Sequence, residues 1–270
     1  MREPPEYVRT AFGARGPAEP LTGGQGTTWR YGDLVLKPLD LSASALAWQA
    51  RHLPSIHATG VRLVPPVAAA DGSLAVDGWT AWRNAPGGHL SRHWDEVIAA
   101  GNHLHEALRR LPRPDFVDER QDRWAVADRI AWGEQPAGPG VRTPLLQRLL
   151  AADVPDEQSQ LVHCDLTGNV LFEPGLPPAV IDLSLYWRPA GYTTAIVLTD
   201  AVSFEGAGAG LVARHDGRYL ARAISFRLAT DRLAGTPSPD ADATYRRIAD
   251  LALDELWARA GRRAGRRPGW

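Results

Sequence analysis

The chain has 270 residues and 44% hydrophobic content, enough for one large domain or two lobes around a sizeable core. Thirty Lys and Arg against 31 Asp and Glu leave a formal charge of −1, which excludes a global field for nucleic acid or an anionic membrane surface. No apolar run of roughly 18 residues occurs, and the opening Met1-Arg2-Glu3-Pro4-Pro5-Glu6 has no apolar leader core, so the expected location is cytoplasmic with no membrane partner.

Cys164 is the only cysteine, which rules out an intramolecular disulfide and a cysteine zinc site. The pairs His103/His105 and His89/His93 lack the spacing or further ligands of a metal centre. Of the 30 basic residues 29 are Arg, and Lys37 alone is Lys. A lone Lys in such a background marks a place where a compact ammonium suits and a planar guanidinium does not.

In chain order, the first third is strand-rich. Leu34-Val35-Leu36-Lys37 reads as a strand, Ser42 to Leu53 as a helix, and Leu63-Val64 and Leu74-Ala75-Val76 as further strands separated by turn signals such as Asp71-Gly72. Gly78 to Arg83 then leads into Pro86-Gly87-Gly88, which reads as a hinge near residue 84. Beyond it Trp94, Val97, Ile98, Gly101, Leu104, Leu108 and Leu111 recur at helical spacing along Ser91 to Leu111. Thr143-Pro144 reads as an N-cap with proline at the first helical position. Two more helices are expected near Asp216 to Leu228 and Asp240 to Ala260, and one β-rich stretch at residues 161–183. The expectation is an α+β chain of two lobes: a small antiparallel sheet with one helix at 1–84, and a mostly helical lobe at 85–270.

The stretch His163-Cys164-Asp165-Leu166-Thr167-Gly168-Asn169 reads as a loop between two strands, and Asp182 ends a third. Phosphoryl transfer needs a carboxylate to orient and deprotonate the attacking hydroxyl, and oxygen ligands for magnesium on the phosphates. Asp165, Asn169 and Asp182 offer those groups.

These segments resemble the catalytic and metal-binding loops of aminoglycoside phosphotransferases and, more distantly, of protein kinases. The resemblance implies a two-lobed protein-kinase-like fold, with Asp165 as catalytic base, His163 as the buried residue bracing the loop, and Asn169 and Asp182 as magnesium ligands. Lys37, at the end of its strand, resembles the lysine that holds the nucleotide phosphates. Gly23, Gly24, Gly26 and Thr27 resemble a glycine-rich phosphate cover. Within the family the chain looks like a compact actinobacterial branch, on Gly23-Gly24-Gln25-Gly26, Trp79-Thr80-Ala81-Trp82 and Tyr186-Trp187-Arg188-Pro189. The implied activity is transfer of the γ-phosphate of ATP or GTP to a small hydroxylated compound.

Three departures stand out. Asp165 and Asn169 are four positions apart where the kinase signature has five. Cys164 occupies the place of a Gly and is read as packing. The helix after Lys37 has no acidic residue, so Gln49 is the expected neutral substitute for the lysine's glutamate partner. These departures keep a second reading open, a non-catalytic nucleotide-binding pseudokinase. A protein kinase is disfavoured, because no Ala-Pro-Glu segment follows Asp182.

Overall fold

The computed structural model describes residues 3–21, 27–212, 215–236 and 238–264. After a short helix α1 (Glu6–Ala11), the N-terminal part builds one antiparallel sheet from β1 (Glu19–Pro20), β2 (Trp29–Tyr31), β3 (Leu34–Pro38), β5 (Pro66–Val67) and β6 (Trp79–Arg83), in the order β1-β2-β3-β6-β5. Register sets Lys37 opposite Thr80. Helix α2 (Ala43–His52) starts at Ser42, whose hydroxyl accepts from Ala45 N at 3.1 Å and so satisfies one of the free amides of the first turn. One core of this lobe gathers Val8, Phe12, Tyr31, Leu36 and Ala81.

One sequence expectation is corrected here. Leu74-Ala75-Val76 is not a strand: Val76 makes only a single bridge to Trp79, because Asp77 and Gly78 both take left-handed backbone (φ 48° and 75°) and turn the chain at once. On the side of β6 away from β3 lies β5, an edge position that tolerates its proline.

Strand β4 (Arg62–Leu63) leaves the N-terminal sheet and pairs in parallel with β9 (Ala179–Val180), which pairs on its other side with β8 (Val170–Leu171). The crossing between lobes is close at Gly87 (φ 121°), where a Cβ would stand 2.7 Å from the Phe172 carbonyl oxygen. Only glycine suits both that backbone and that contact.

The remainder is mostly helical: α3 (Trp94–Leu108), α4 (Phe116–Glu119), α5 (Arg123–Ala131), α6 (Pro144–Leu150), α7 (Gly191–Phe204), α8 (Gly217–Arg232) and α9 (Ala241–Ala264), with the antiparallel pair β7 (Gln160–His163) and β10 (Leu185–Arg188). Thr143 caps α6 by accepting from Leu146 N at 3.1 Å. The C-terminal core packs Leu146, Leu149, Tyr192, Ile196, Leu220, Ile224, Phe226 and Ile248. On α3, Gly101 lies so close to Leu166 that a methyl group there would overlap it, and this lets the helix run directly beneath the loop after β7. Among the described residues no helix is long and apolar enough to cross a membrane.

Candidate active site

Strand β7 ends at His163, the chain turns through residues 164–169, and β8 carries it away. The turn is held by its own backbone: Asn169 N donates to Leu166 O at 2.9 Å, and Cys164 N to Ser184 O at 3.0 Å. Asn169 Nδ2 donates to Asp165 O at 2.7 Å and to Asp165 Oδ2 at 3.2 Å. The four-position spacing is thus closed by a side-chain bond across the loop, and Asn169 Oδ1 is left as a hard acceptor. The Asp165 side chain is about half exposed (49%).

His163 is fully buried; Ser184 N donates to its Nδ1 at 3.1 Å, and Ser184 O stands 3.3 Å from the same nitrogen. Burial depresses its pKa against the opposing pull of Asp165. The His163 amide in turn donates to His105 Nε2 at 3.1 Å, and burial with the neighbouring His163 brings His105 down to about 3. Both imidazoles are neutral braces between α3, β7 and the segment after Asp182. His105 was not identified from sequence, where it was one of a histidine pair; its only signal was a place on the buried face of α3.

Asp182 lies two residues beyond β9 in left-handed backbone (φ 55°), a conformation that costs energy in a residue other than glycine and turns its carboxylate out of the strand. That carboxylate bonds Lys37 Nζ, which also donates to Asp40 Oδ2 at 2.9 Å and lies 5.5 Å from the centre of the Trp82 ring. Burial alone would lower the ammonium's pKa; Asp182 and then Asp40 outweigh it, and the net shift is upward.

Gln49 is a correction. It does not reach Lys37: its Nε2 donates to Leu183 O at 3.0 Å, and it ties α2 to the residue after Asp182. The physical reason is that Asp40 and Asp182 already supply full charges to the ammonium, a stronger partnership than a neutral amide. Gln49→Glu therefore faces a buried carboxylate toward a carbonyl oxygen. The expected result is a loss of about 1–3 kcal/mol in urea unfolding, the cost of a buried polar group deprived of its partner; unchanged stability would contradict this placement.

Thr27 is half-buried two residues before β2. Gly23, Gly24 and Gly26 lie outside the described residues; the flanks of that segment are joined by Leu21 N donating to Thr28 O at 2.9 Å. Cys164 is buried, and burial raises its thiol well above the ordinary range, which fits packing and not nucleophilic use. Among the described residues no three His, Cys, Asp or Glu side chains gather into a metal cage. The two hard-oxygen residues, Asp182 and Asn169, suit magnesium, which completes its shell with water and phosphate oxygens.

A strand lysine meeting a loop carboxylate, beneath a second loop bearing Asp and Asn, in an α+β chain of two lobes, defines a kinase-like phosphotransferase fold. Residues 19–186 match the phosphotransferase enzyme family, well over half of the chain, and the chain belongs to that family. No curated protein matches the sequence significantly. Among solved structures it is similar to an aminoglycoside phosphotransferase from Alicyclobacillus acidocaldarius, at 14% identity over 97% of both chains with a TM-score of 0.57. It is also similar to a thermostable mutant of aminoglycoside phosphotransferase APH(4)-Ia in ternary complex with ADP and hygromycin B, at 17% identity over 92% of this chain and 97% of that one with a TM-score of 0.60. A third is spectinomycin phosphotransferase APH(9)-Ia with ADP and spectinomycin, at 11% identity over 93% and 96% with a TM-score of 0.51.

Proposed function

We propose that the chain transfers the γ-phosphoryl group of ATP, or GTP, to a hydroxyl of a small molecule. The acceptor oxygen forms the new bond to phosphorus, the bond to the β-phosphate oxygen breaks, and Asp165 takes the hydroxyl proton. Residues 1–84 serve as the nucleotide lobe and 85–270 carry the catalytic and metal loops. The observation that carries this reading is the meeting of Lys37 with Asp182 across 145 positions of chain, beside a loop that holds Asp165 and Asn169 together. Support also comes from the APH(4)-Ia structures, which include variants with an aspartate and an asparagine, four positions apart, each replaced by alanine. Asp165 and Asn169 have the same order and spacing.

Asp182 and Asn169 would hold magnesium, which when bound neutralises charge on the β- and γ-phosphates. Lys37 would then release part of its hold on Asp182 and face phosphate oxygens. The side of Asp165 away from Asn169 meets the guanidinium of Arg227 at 3.5 Å, a cation where a polycationic acceptor would need carboxylates. The acceptor we infer is a small hydroxylated compound.

Lys37→Met removes the charge that faces the phosphates. Nucleotide affinity is expected to fall more than roughly tenfold with the fold intact. A thermal-shift titration with ATP and magnesium measures this, since a ligand of the folded state raises stability with the logarithm of its concentration over Kd. ADP release from Mg·ATP by the parent protein, with water or a screened sugar, amino sugar or nucleoside as acceptor, tests the enzyme reading itself. Binding without any ADP release would favour the pseudokinase.

A further inference from the structure

Arg227 lies on α8, yet its guanidinium joins carboxylates from two other segments. Nε donates to Asp200 Oδ1 on α7 at 2.8 Å, Nη2 donates to Asp200 Oδ2, and Nη2 also stands 3.5 Å from Asp165 Oδ1. The opposite oxygen, Asp165 Oδ2, accepts from Asn169 Nδ2 at 3.2 Å. The carboxylate proposed as the base is therefore engaged on both oxygens, by an amide of its own loop on one side and a guanidinium of the helical lobe on the other.

The pair beneath it is built for fixity. Side-chain exposure is 15% for Arg227 and 7% for Asp200, and a two-pronged Arg–carboxylate contact fixes the plane of the guanidinium as a lysine would not. Burial alone would depress the guanidinium's pKa; Asp200 and then Asp165 reverse this, so the cation is retained. Asp200 gives the arginine a two-pronged carboxylate partner, and the third contact, to Asp165, is longer at 3.5 Å. Asp165 is half exposed, and without Arg227 only the Asn169 amide would hold its carboxylate.

We propose that Arg227, locked by Asp200, is a positioning residue that holds the Asp165 carboxylate in the orientation that accepts the acceptor's proton. This rests on the reading of Asp165 as the base. Arg227 acts through Asp165, so its contribution vanishes when Asp165 cannot act, and it belongs to turnover and not to nucleotide affinity.

The experiment measures ADP release from Mg·ATP with water as acceptor, together with the Mg·ATP thermal shift. Arg227→Met alone would leave Asp200 buried and unpaired, so it is made together with Asp200→Asn. The expected result is a fall in kcat of about tenfold or more at unchanged KM for ATP and an unchanged thermal shift, the scale set by a misplaced catalytic group. Introducing that pair into Asp165→Asn is expected to cost less than about threefold beyond Asp165→Asn alone, because the two lesions remove one function. If the paired variant does not fold, Arg227→Lys decides, with reduced kcat at unchanged KM expected. Parental kcat in the folded variant, or losses that multiply with Asp165→Asn, would overturn the assignment while leaving the phosphotransferase reading intact. A parent that neither binds nor hydrolyses Mg·ATP would overturn that reading first, and this one with it.

Discussion

Turnover in Asp165→Asn is expected to fall on the order of 10²-fold or more while nucleotide binding survives, because the change keeps the shape of the side chain and removes the proposed proton acceptor. Asp182→Asn should behave differently. It removes the anionic oxygen proposed to hold magnesium and the principal charge partner of Lys37, so both turnover and magnesium-dependent nucleotide affinity should drop. A thermal-shift titration with ATP and magnesium separates the two, with a preserved shift for Asp165→Asn and a diminished one for Asp182→Asn. Equal shifts in both variants, or a normal rate in Asp165→Asn, would falsify these roles.

The largest stability effect is expected at Arg188 on β10. Its guanidinium bonds Asp128 through Nε at 3.0 Å and Nη2 at 2.6 Å, and Glu134 through Nη2 at 2.8 Å, with the Trp132 ring centre 5.0 Å away. Asp128 is almost wholly buried, and burial raises its pKa against the pull of Arg188. Arg188→Met strands that carboxylate, at an expected cost of about 3–5 kcal/mol in urea unfolding. The sign with pH follows. Without the arginine, Asp128 is raised further above its unfolded value, so the deficit is least below the unfolded carboxylate range and grows as pH rises through the folded pKa. Adding Asp128→Asn should recover much of the loss at neutral pH. A deficit below about 1 kcal/mol, or no recovery in the double variant, would mean the network is not a buried ion pair of this kind.

Helices with one apolar stripe were legible in the sequence: α3 from Val97, Leu104 and Leu108, and α8 and α9 from their own spacings. Helix α7 was not. It buries Tyr192, Thr193, Ala195 through Ala201 on nearly every face, and a helix without a polar side shows no period to read. Strand β5 was missed for a different reason, since Pro65-Pro66 signals a turn until a neighbouring strand gives the edge a partner.

The candidate site divides in the same way. Asp165 and Asn169 could be paired from sequence alone, because four intervening bonds of a short loop leave them few ways to be apart. Lys37 could be placed at the end of a strand by the apolar run before it and by its singularity among 29 arginines. Its partner could not: a helical glutamate or Gln49 was the local expectation, and the answer, Asp182, comes from a loop in the other lobe. Arg227, Asp200 and His105 likewise carry no local motif. They reach the loop only because α3, α7 and α8 pack around it and bury their polar groups until those groups find one another. The sequence by itself determined which chemical groups are present and which short segments hold them, since neighbours in a loop or strand are bound by covalent geometry. Only the tertiary structure decided which charges meet, because buried charges take the partner that long-range packing brings within reach.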